Sequence, residues 1–415
     1  MFRAGPENAG SSGARKTLFW CIHALVGLGL LGLIVVQPGT PRLAARVVPP
    51  PGSPVAKAVT PATQKLAIAP AVAEKPLIVP AAPNVHGAVP VGKGMWIWQA
   101  QAADGGNPQA IVARAQRFGL THLYVYMGSS KKGFIGAPFL DAVLPLAHAA
   151  GIRIYGWDFP YLDNIEADVA RAAEAAHHVT PSGDRIDGFA ADIEFRSMGV
   201  NLTPTTTDWY GHLLRHTLGP GFPLIAVVPR PTPQVSFYPY ESVTKMFDAI
   251  APMIYWMGND PAVAVQMAYA RLGPLGKPIL PVGQAYDGFK EGGPAGVPNR
   301  GSIHRFMGAV ADQGGTGVSF WSWQHATQEV WQAVSDAALF QLPAGDLTAF
   351  RADQIRAYQV LLNSLGFGVP ASGAWGPDSD AAVRAFQTAA RLPVTGLIDP
   401  TTRALLLHPV PPPLR

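Results

Sequence analysis

Cysteine is almost missing: Cys21 is the single one in 415 residues. An intramolecular disulfide and a cysteine-built zinc site are both excluded. Charge is scarce as well, at 14% of residues against 48% hydrophobic, which rules out wholesale disorder and allows sizeable cores. No Gly-x-Gly-x-x-Gly follows the first candidate strand, and no Gly-x-Ser-x-Gly elbow occurs. His122, His304 and His325 lack metal-ligand spacing, so neither a metal nor a cofactor is expected. Basic charge is lacking where a nucleic acid would need it. The net charge is +4, but residues 1–90 hold eight basic and two acidic residues, while the rest holds 23 basic and 25 acidic. A nucleic-acid partner is not expected from a slightly acidic body.

What is present is strongly regional. Leu18–Val36 is an uncharged apolar run of nineteen residues preceded by Arg15 and Lys16. About 20 such residues span a bilayer core as a helix, and the flanking charges place the N-terminus in the cytoplasm. We therefore expect a cytoplasmic tail over 1–16, a transmembrane signal-anchor over 17–37, and an extracytoplasmic remainder; a cleaved signal peptide is the alternative and exports the same chain. Residues 38–90 carry twelve prolines among Ala and Val. Proline fixes φ and supplies no amide donor, so this segment reads as a semi-rigid stalk.

From residue 91 to 342 short apolar runs alternate with helical stretches. Strands are expected at Met95–Trp98, His122–Met127, Arg153–Asp158, Gly188–Phe195, Pro223–Pro229, Ala249–Trp256, Pro278–Ala285 and Gly317–Trp323. Eight βα repeats in about 250 residues have the size of an α/β (β/α)8 barrel, a TIM-type barrel. An open doubly wound sheet is the runner-up. The connection Arg230–Asp248 shows no obvious long helix. After a Pro/Gly break, residues 347–410 form a small three-helix unit, with helices near 351–365, 379–391 and 400–407. Asp399 followed by Pro400 is a good start signal for the last.

The fourth expected strand reads Asp187-Gly188-Phe189-Ala190-Ala191-Asp192-Ile193-Glu194-Phe195. Residues i and i+2 of a strand point the same way, so Asp192 and Glu194 project together, roughly 6.6 Å apart at Cα. Two acids in an apolar strand are costly unless something uses or pairs them. Crowded carboxylates push one pKa upward, which keeps a protonated acid available near neutrality. Glycosidic cleavage needs such a proton donor together with a second stabilising group. A salt-bridged structural pair and a metal site are the alternatives.

The pattern Asp-Gly-x-x-x-Asp-x-Glu resembles the strand-four signature of the family 18 chitinase-like glycosidases, with Ala190 where that family carries a further Asp. The shorter Asp-x-Glu is similar to the family 25 lysozyme-type muramidases, although Gly94–Gln99 holds no strand-one acid. The resemblance implies Glu194 as general acid, with Asp192 orienting a substrate N-acetyl group or assisting Glu194. Tyr255, in Met253-Ile254-Tyr255-Trp256, is similar to the family's sugar-contacting tyrosine, and Trp321 or Trp323 to its pocket-floor tryptophan. Trp98, Trp157 and Trp256 join them as candidate sugar-stacking residues, with barrel-core packing as the alternative for each. Asp158, Gln284 and Asp287, at or after strand ends, are candidate partners for sugar hydroxyls.

In the tail, Tyr358-Gln359, Gly373-Ala374-Trp375-Gly376-Pro377, Ala382-Val383-Arg384-Ala385-Phe386-Gln387 and Val394-Thr395-Gly396-Leu397-Ile398-Asp399 resemble the peptidoglycan-binding domain of bacterial cell-wall enzymes. Taken together, the resemblances imply a cell-surface hydrolase whose partners are peptidoglycan or another wall polysaccharide and, through the anchor, the membrane. A barrel that binds wall glycans without cleaving them is the other reading.

Overall fold

The computed structural model describes residues 89–407. The apolar run, the expected cytoplasmic tail and nearly all of the expected stalk lie outside the described residues. Among the described residues no helix is long and apolar enough to cross a membrane.

Nine strands run in chain order: β1 Gly92–Ile97, β2 His122–Ser129, β3 Gly133–Phe134, β4 Arg153–Phe159, β5 Gly188–Asp192, β6 Leu224–Pro229, β7 Ala249–Ile254, β8 Val282–Gln284 and β9 Gly317–Trp321. All but the short antiparallel β3 pair in parallel, and β1 bonds to both β9 and β2, so the sheet closes. The expected eight-stranded barrel is what the strand pairing builds.

Helices follow the strands: α1 Pro108–Arg117, α2 Ala137–Ala149, α3 Ile165–His177, α4 Pro204–Leu218, α5 Tyr240–Thr244, α6 Pro261–Leu272, α7 Arg300–Asp312 and α8 Gln328–Asp336. Their starts are written locally. Asn107, Asn164, Thr203, Asp260, Asn299 and Thr327 each accept a bond from an amide of the first turn, satisfying a donor the helix leaves open. The connection that looked helix-poor contains only a 3-10 turn and the five-residue α5. A single turn is too short to show periodicity.

Side-chain alternation sorts each strand between two cores. Met95, Ile97, Val125 and Ala191 face the helices, whereas Trp96, Tyr124, Tyr155, Trp157 and Ala190 fill the barrel. Trp96 stacks on Tyr124 at 4.0 Å with planes 5° apart, and its Nε1 donates to Ser319 Oγ at 2.8 Å. Gly188 marks the tightest point: a Cβ there would meet Pro223 Cβ at 2.8 Å and Tyr155 Cδ1 at 2.9 Å. The glycine of the Asp-Gly pair is thus a packing requirement of β5.

Helices α9 Ala352–Ser364, α10 Pro377–Ala389 and α11 Pro400–Leu407 form the C-terminal domain. Leu361, Val383 and Phe386 are fully buried in its core, each such side chain stabilising by about 1.5–3 kcal/mol. Gln359 Nε2 donates to Ala374 O at 3.0 Å and to Ser379 Oγ at 2.9 Å. Gln387 serves the next loop in the same way, donating to Leu397 O at 2.8 Å and accepting from the Thr395 and Gly396 amides, each at 2.9 Å. The two Gln residues of the tail pattern are loop anchors.

This domain is packed on the barrel. Val91 and Leu342 belong to its core, and Val360 of α9 packs against the inner barrel cluster. Arg153, opening β4, donates from Nη2 to Leu406 O at 2.9 Å and from Nε to Leu407 O. The contact lies at the N-terminal ends of the strands, opposite the end where the acids of β5 emerge.

Candidate functional site

Asp192 ends β5, and Glu194 follows just beyond it, where the Ile193 amide still donates to Val227 O at 3.1 Å. The expected strand to Phe195 therefore stops early. The extended backbone persists long enough to keep both acids on the inner side of the barrel, at the C-terminal strand ends. Tyr238, from the loop after β6, pins the carbonyl between them, with its hydroxyl donating to Ile193 O at 2.6 Å.

Both carboxyls are buried, at 3% and 2% exposure. Burial pushes Asp192 well above the usual carboxylate range, and the neighbouring charge of Glu194 adds to it. Burial likewise lifts Glu194 to about 7, with the charge of Glu291 adding and the Phe195 backbone opposing. A carboxyl of that kind is protonated in about half of the molecules at neutral pH, which keeps a proton donor available.

The interior aromatic cluster continues to this level. Trp157 packs edge-on against Trp321 at 5.4 Å, Trp98 lies over Trp321 at 6.5 Å, and Tyr126 tilts onto Trp157 at 4.7 Å. Trp98, Tyr126 and Tyr255 are half-buried, while Trp157 and Trp321 lie beneath them. Tyr255, past β7, meets Tyr286 edge-on at 5.4 Å, and its carbonyl accepts from Arg230 Nη1 at 2.9 Å. Asp192, Glu194, Tyr255, Trp98, Trp157 and Trp321 thus share the barrel interior.

The remaining expected residues sit elsewhere, Asp158 and Trp256 for reasons of strand parity. Asp158 is one residue out of phase with Trp157, so it points at α3, where Arg171 Nε and Nη2 donate to its Oδ2 at 2.8 and 2.6 Å. Trp256, out of phase with Tyr255, packs against Phe306 of α7 at 5.4 Å. Trp323 is buried against Trp331 of α8, and its Nε1 donates to Asp104 Oδ2 at 3.0 Å. These three belong to the barrel wall. Gln284 and Asp287 are loop braces: Gln284 accepts from the Met257 amide at 3.0 Å and donates to Tyr286 O at 3.1 Å, and Asp287 accepts from the Phe289 amide at 2.9 Å.

Residues 351–406 match the family model of a peptidoglycan binding domain. The C-terminal domain is of that type. No curated protein matches the chain. Among solved structures, the endo-1,4-beta-mannanase from Rhizomucor miehei is similar at 10% identity with a TM-score of 0.47, over 60% of this chain and 94% of that one. The chitinase from Chromobacterium violaceum is similar at 14% identity and a TM-score of 0.43, over 60% and 99%. A family 18 N-acetylglucosaminidase from Paenibacillus barengoltzii is similar at 12% identity and 0.44, over 60% and 100%. Likenesses of this size carry no argument about substrate, and the barrel rests on its own strand pairing.

Sequence reasoning passed over several residues of the interior. Tyr126 sits mid-strand in an apolar run, where a tyrosine reads as core packing. Tyr238, Tyr286 and Glu291 lie in loops without periodicity. Glu291 is seven residues beyond β8, and the only signal for it was that acids in loops after barrel strands line the functional face.

Proposed function

We propose that this chain is a cell-surface glycoside hydrolase acting on peptidoglycan or a related N-acetylhexosamine polymer. The observation that carries the reading is the buried pair Asp192 and Glu194 at the C-terminal end of one barrel strand, with Glu194 raised to about 7. Functional groups of such barrels gather at that end. Glu194 gives its proton to the glycosidic oxygen, the C–O bond to the anomeric carbon breaks, and water adds at that carbon, its released proton restoring the Glu194 carboxyl. Asp192 steadies the donor or orients the substrate's N-acetyl group. Trp98, Tyr126 and Tyr255 offer half-exposed aromatic faces to sugar rings, above Trp157 and Trp321.

Wall attachment follows from the C-terminal domain, through the binding its family is named for. The apolar run at 18–36 anchors the chain in the membrane with its body outside. Tethering raises the local concentration of barrel at the wall, so modest affinity in the domain suffices.

The test is release of labelled fragments from purified sacculi by the full chain, wild type against Glu194→Gln. Removing a general acid costs roughly 10²–10⁴-fold in rate. Equal release by both forms removes Glu194 from the mechanism. Sacculus binding with no release by either form supports instead a barrel that only recognises glycan, the reading that Ala190 favours.

A further inference from the structure

A second glutamate is built into the same interior from the far side of the barrel. The strand order places β8 three strands away from β5 around the closed sheet. After β8 the chain folds into a tight loop. Its 3-10 turn spans Phe289–Glu291, and the Glu291 amide donates to Gly288 O at 2.9 Å. Asp287 caps the turn, and Gln284 ties the Tyr286 carbonyl to the Met257 amide. The loop presses closely on Met257: a Cβ on Gly288 would meet its sulfur at 2.5 Å.

This bracing fixes two side chains. The Tyr286 ring is buried in the inner aromatic cluster, edge-on to Tyr255. Its hydroxyl points to Glu291 and donates to Oε2 at 2.7 Å. The half-buried Glu291 carboxylate is therefore held at the inner cluster and not out in solvent. Gln284 and Asp287, expected to bind sugar hydroxyls, instead build the loop that presents it.

We propose that Glu291 is a positioning residue for the proton donor, a negative charge that keeps the proton on Glu194 until a glycosidic oxygen arrives to take it. The role as donor rests on the hydrolase reading above, whereas the coupling between the two glutamates does not. Glu291's charge acts on Glu194 directly, second only to burial. Other groups complete the electrostatic setting. Asp192 lies beside Glu194 on β5, and Tyr238 faces both from the loop after β6. Arg230, at the end of β6, interacts with Tyr286. Asp158, behind β4, acts on Asp192, and Asp287 and Lys290 share the loop with Glu291. Burial lifts Glu291 itself to about 7, against the Tyr286 hydroxyl that favours its charge; like charges in a water-poor site disfavour joint ionisation, so once Glu291 ionises it defends the proton on Glu194.

The test is a carboxyl ¹³C titration of the full chain, practical because it holds only eight glutamates. In Glu291→Gln the Glu194 midpoint falls by about one pH unit, a tenfold loss of proton affinity. Coupling is reciprocal, so Glu194→Gln lowers the Glu291 midpoint in turn. Tyr286→Phe removes the hydroxyl that favours ionised Glu291, leaves that carboxyl protonated near neutrality, and lowers the Glu194 midpoint without touching either acid. If the chain releases wall fragments, the alkaline limb of its pH–rate profile moves down with the midpoint. A Glu194 midpoint unchanged in both Glu291→Gln and Tyr286→Phe overturns the proposal, whatever the activity. Coupled midpoints in a chain that releases nothing from sacculi sustain the coupling and sink the hydrolase reading instead.

Discussion

The two ends of β5 carry acids of opposite fate. At the N-terminal end Asp187 is matched: His148 Nε2 lies 3.1 Å from its Oδ2, the Ile154 amide donates to the same oxygen at 2.7 Å, and His148 Nδ1 bonds Asp184 at 2.8 Å. Burial opposes charge on His148, but Asp187 and Asp184 overcome it and lift the imidazole to about 9. At the C-terminal end, five and seven residues on, Asp192 and Glu194 crowd one another and meet a third acid. Opposite charges brought together stabilise the fold, whereas like charges brought together hold protons where solvent would have removed them. One strand therefore separates a structural clasp from a candidate reaction centre. Asp158 qualifies the lesson. It lies level with Ala191 in the sheet, yet strand parity turns it to the outer face, where burial still lifts it to about 7 against the Arg171 guanidinium that pairs with it.

That contrast can be broken most sharply at Arg171, which bridges Asp158 and Asp168 with both partners almost fully buried. Arg171→Ala leaves two buried carboxylates without their countercharge and lowers stability by about 3–5 kcal/mol in denaturant unfolding. A smaller loss shows that the acids neutralise by taking up protons. Next comes Gly188→Ala, which forces β5 away from Pro223 and Tyr155 and costs about 1–3 kcal/mol by the same measurement. It also displaces Asp192 and Glu194, so wall release falls more than stability alone accounts for.

Two substitutions then shift stability in opposite directions, each in its own pH window. Glu194 has a folded pKa raised to about 7 from an ordinary 4.5, so its ionisation weakens the fold as pH rises. Glu194→Gln is accordingly more stable than wild type above pH 7, and the gap closes below about pH 4.5. His148 has a folded pKa raised to about 9 from 6.5, so its contribution is complete below pH 6.5 and disappears as pH rises through 9. His148→Gln loses about 1 kcal/mol at pH 6, discounted because the imidazole is partly exposed, and nothing by pH 10. Thermal melts across that range decide both; a Glu194→Gln variant less stable than wild type above pH 7, or a His148→Gln variant as stable as wild type at pH 6, would erase the distinction between the two ends of the strand.

Much of this was legible in the chain. Short apolar runs alternating with helical stretches marked all eight barrel strands, and Asp399 with Pro400 marked the start of the last helix of the tail, because both signals are local. The Asp-x-Glu spacing placed two acids together, since a strand repeats every second residue. Parity was legible in principle as well. Asp158 beside Trp157, and Trp256 beside Tyr255, point away from the interior once their neighbours point in. The strand-end rule admitted them only because it ignored phase. Loops were not legible: Glu291 enters the site through the fold of Asp287–Gly293 and the bond to Tyr286, neither of which has a period.

The sequence by itself determined the barrel, the three-helix tail and the paired acids of β5, because each depends on spacing along a few consecutive residues. Only the tertiary structure decided which acids are matched. Whether a carboxylate meets His148, Arg171 or another carboxylate depends on which segment the closed sheet brings to it, and those partners lie up to 97 residues away, as Glu291 does from Glu194. The docking of the tail on the N-terminal strand ends was likewise settled in space, by Val360 and Arg153 meeting surfaces that no local pattern announces.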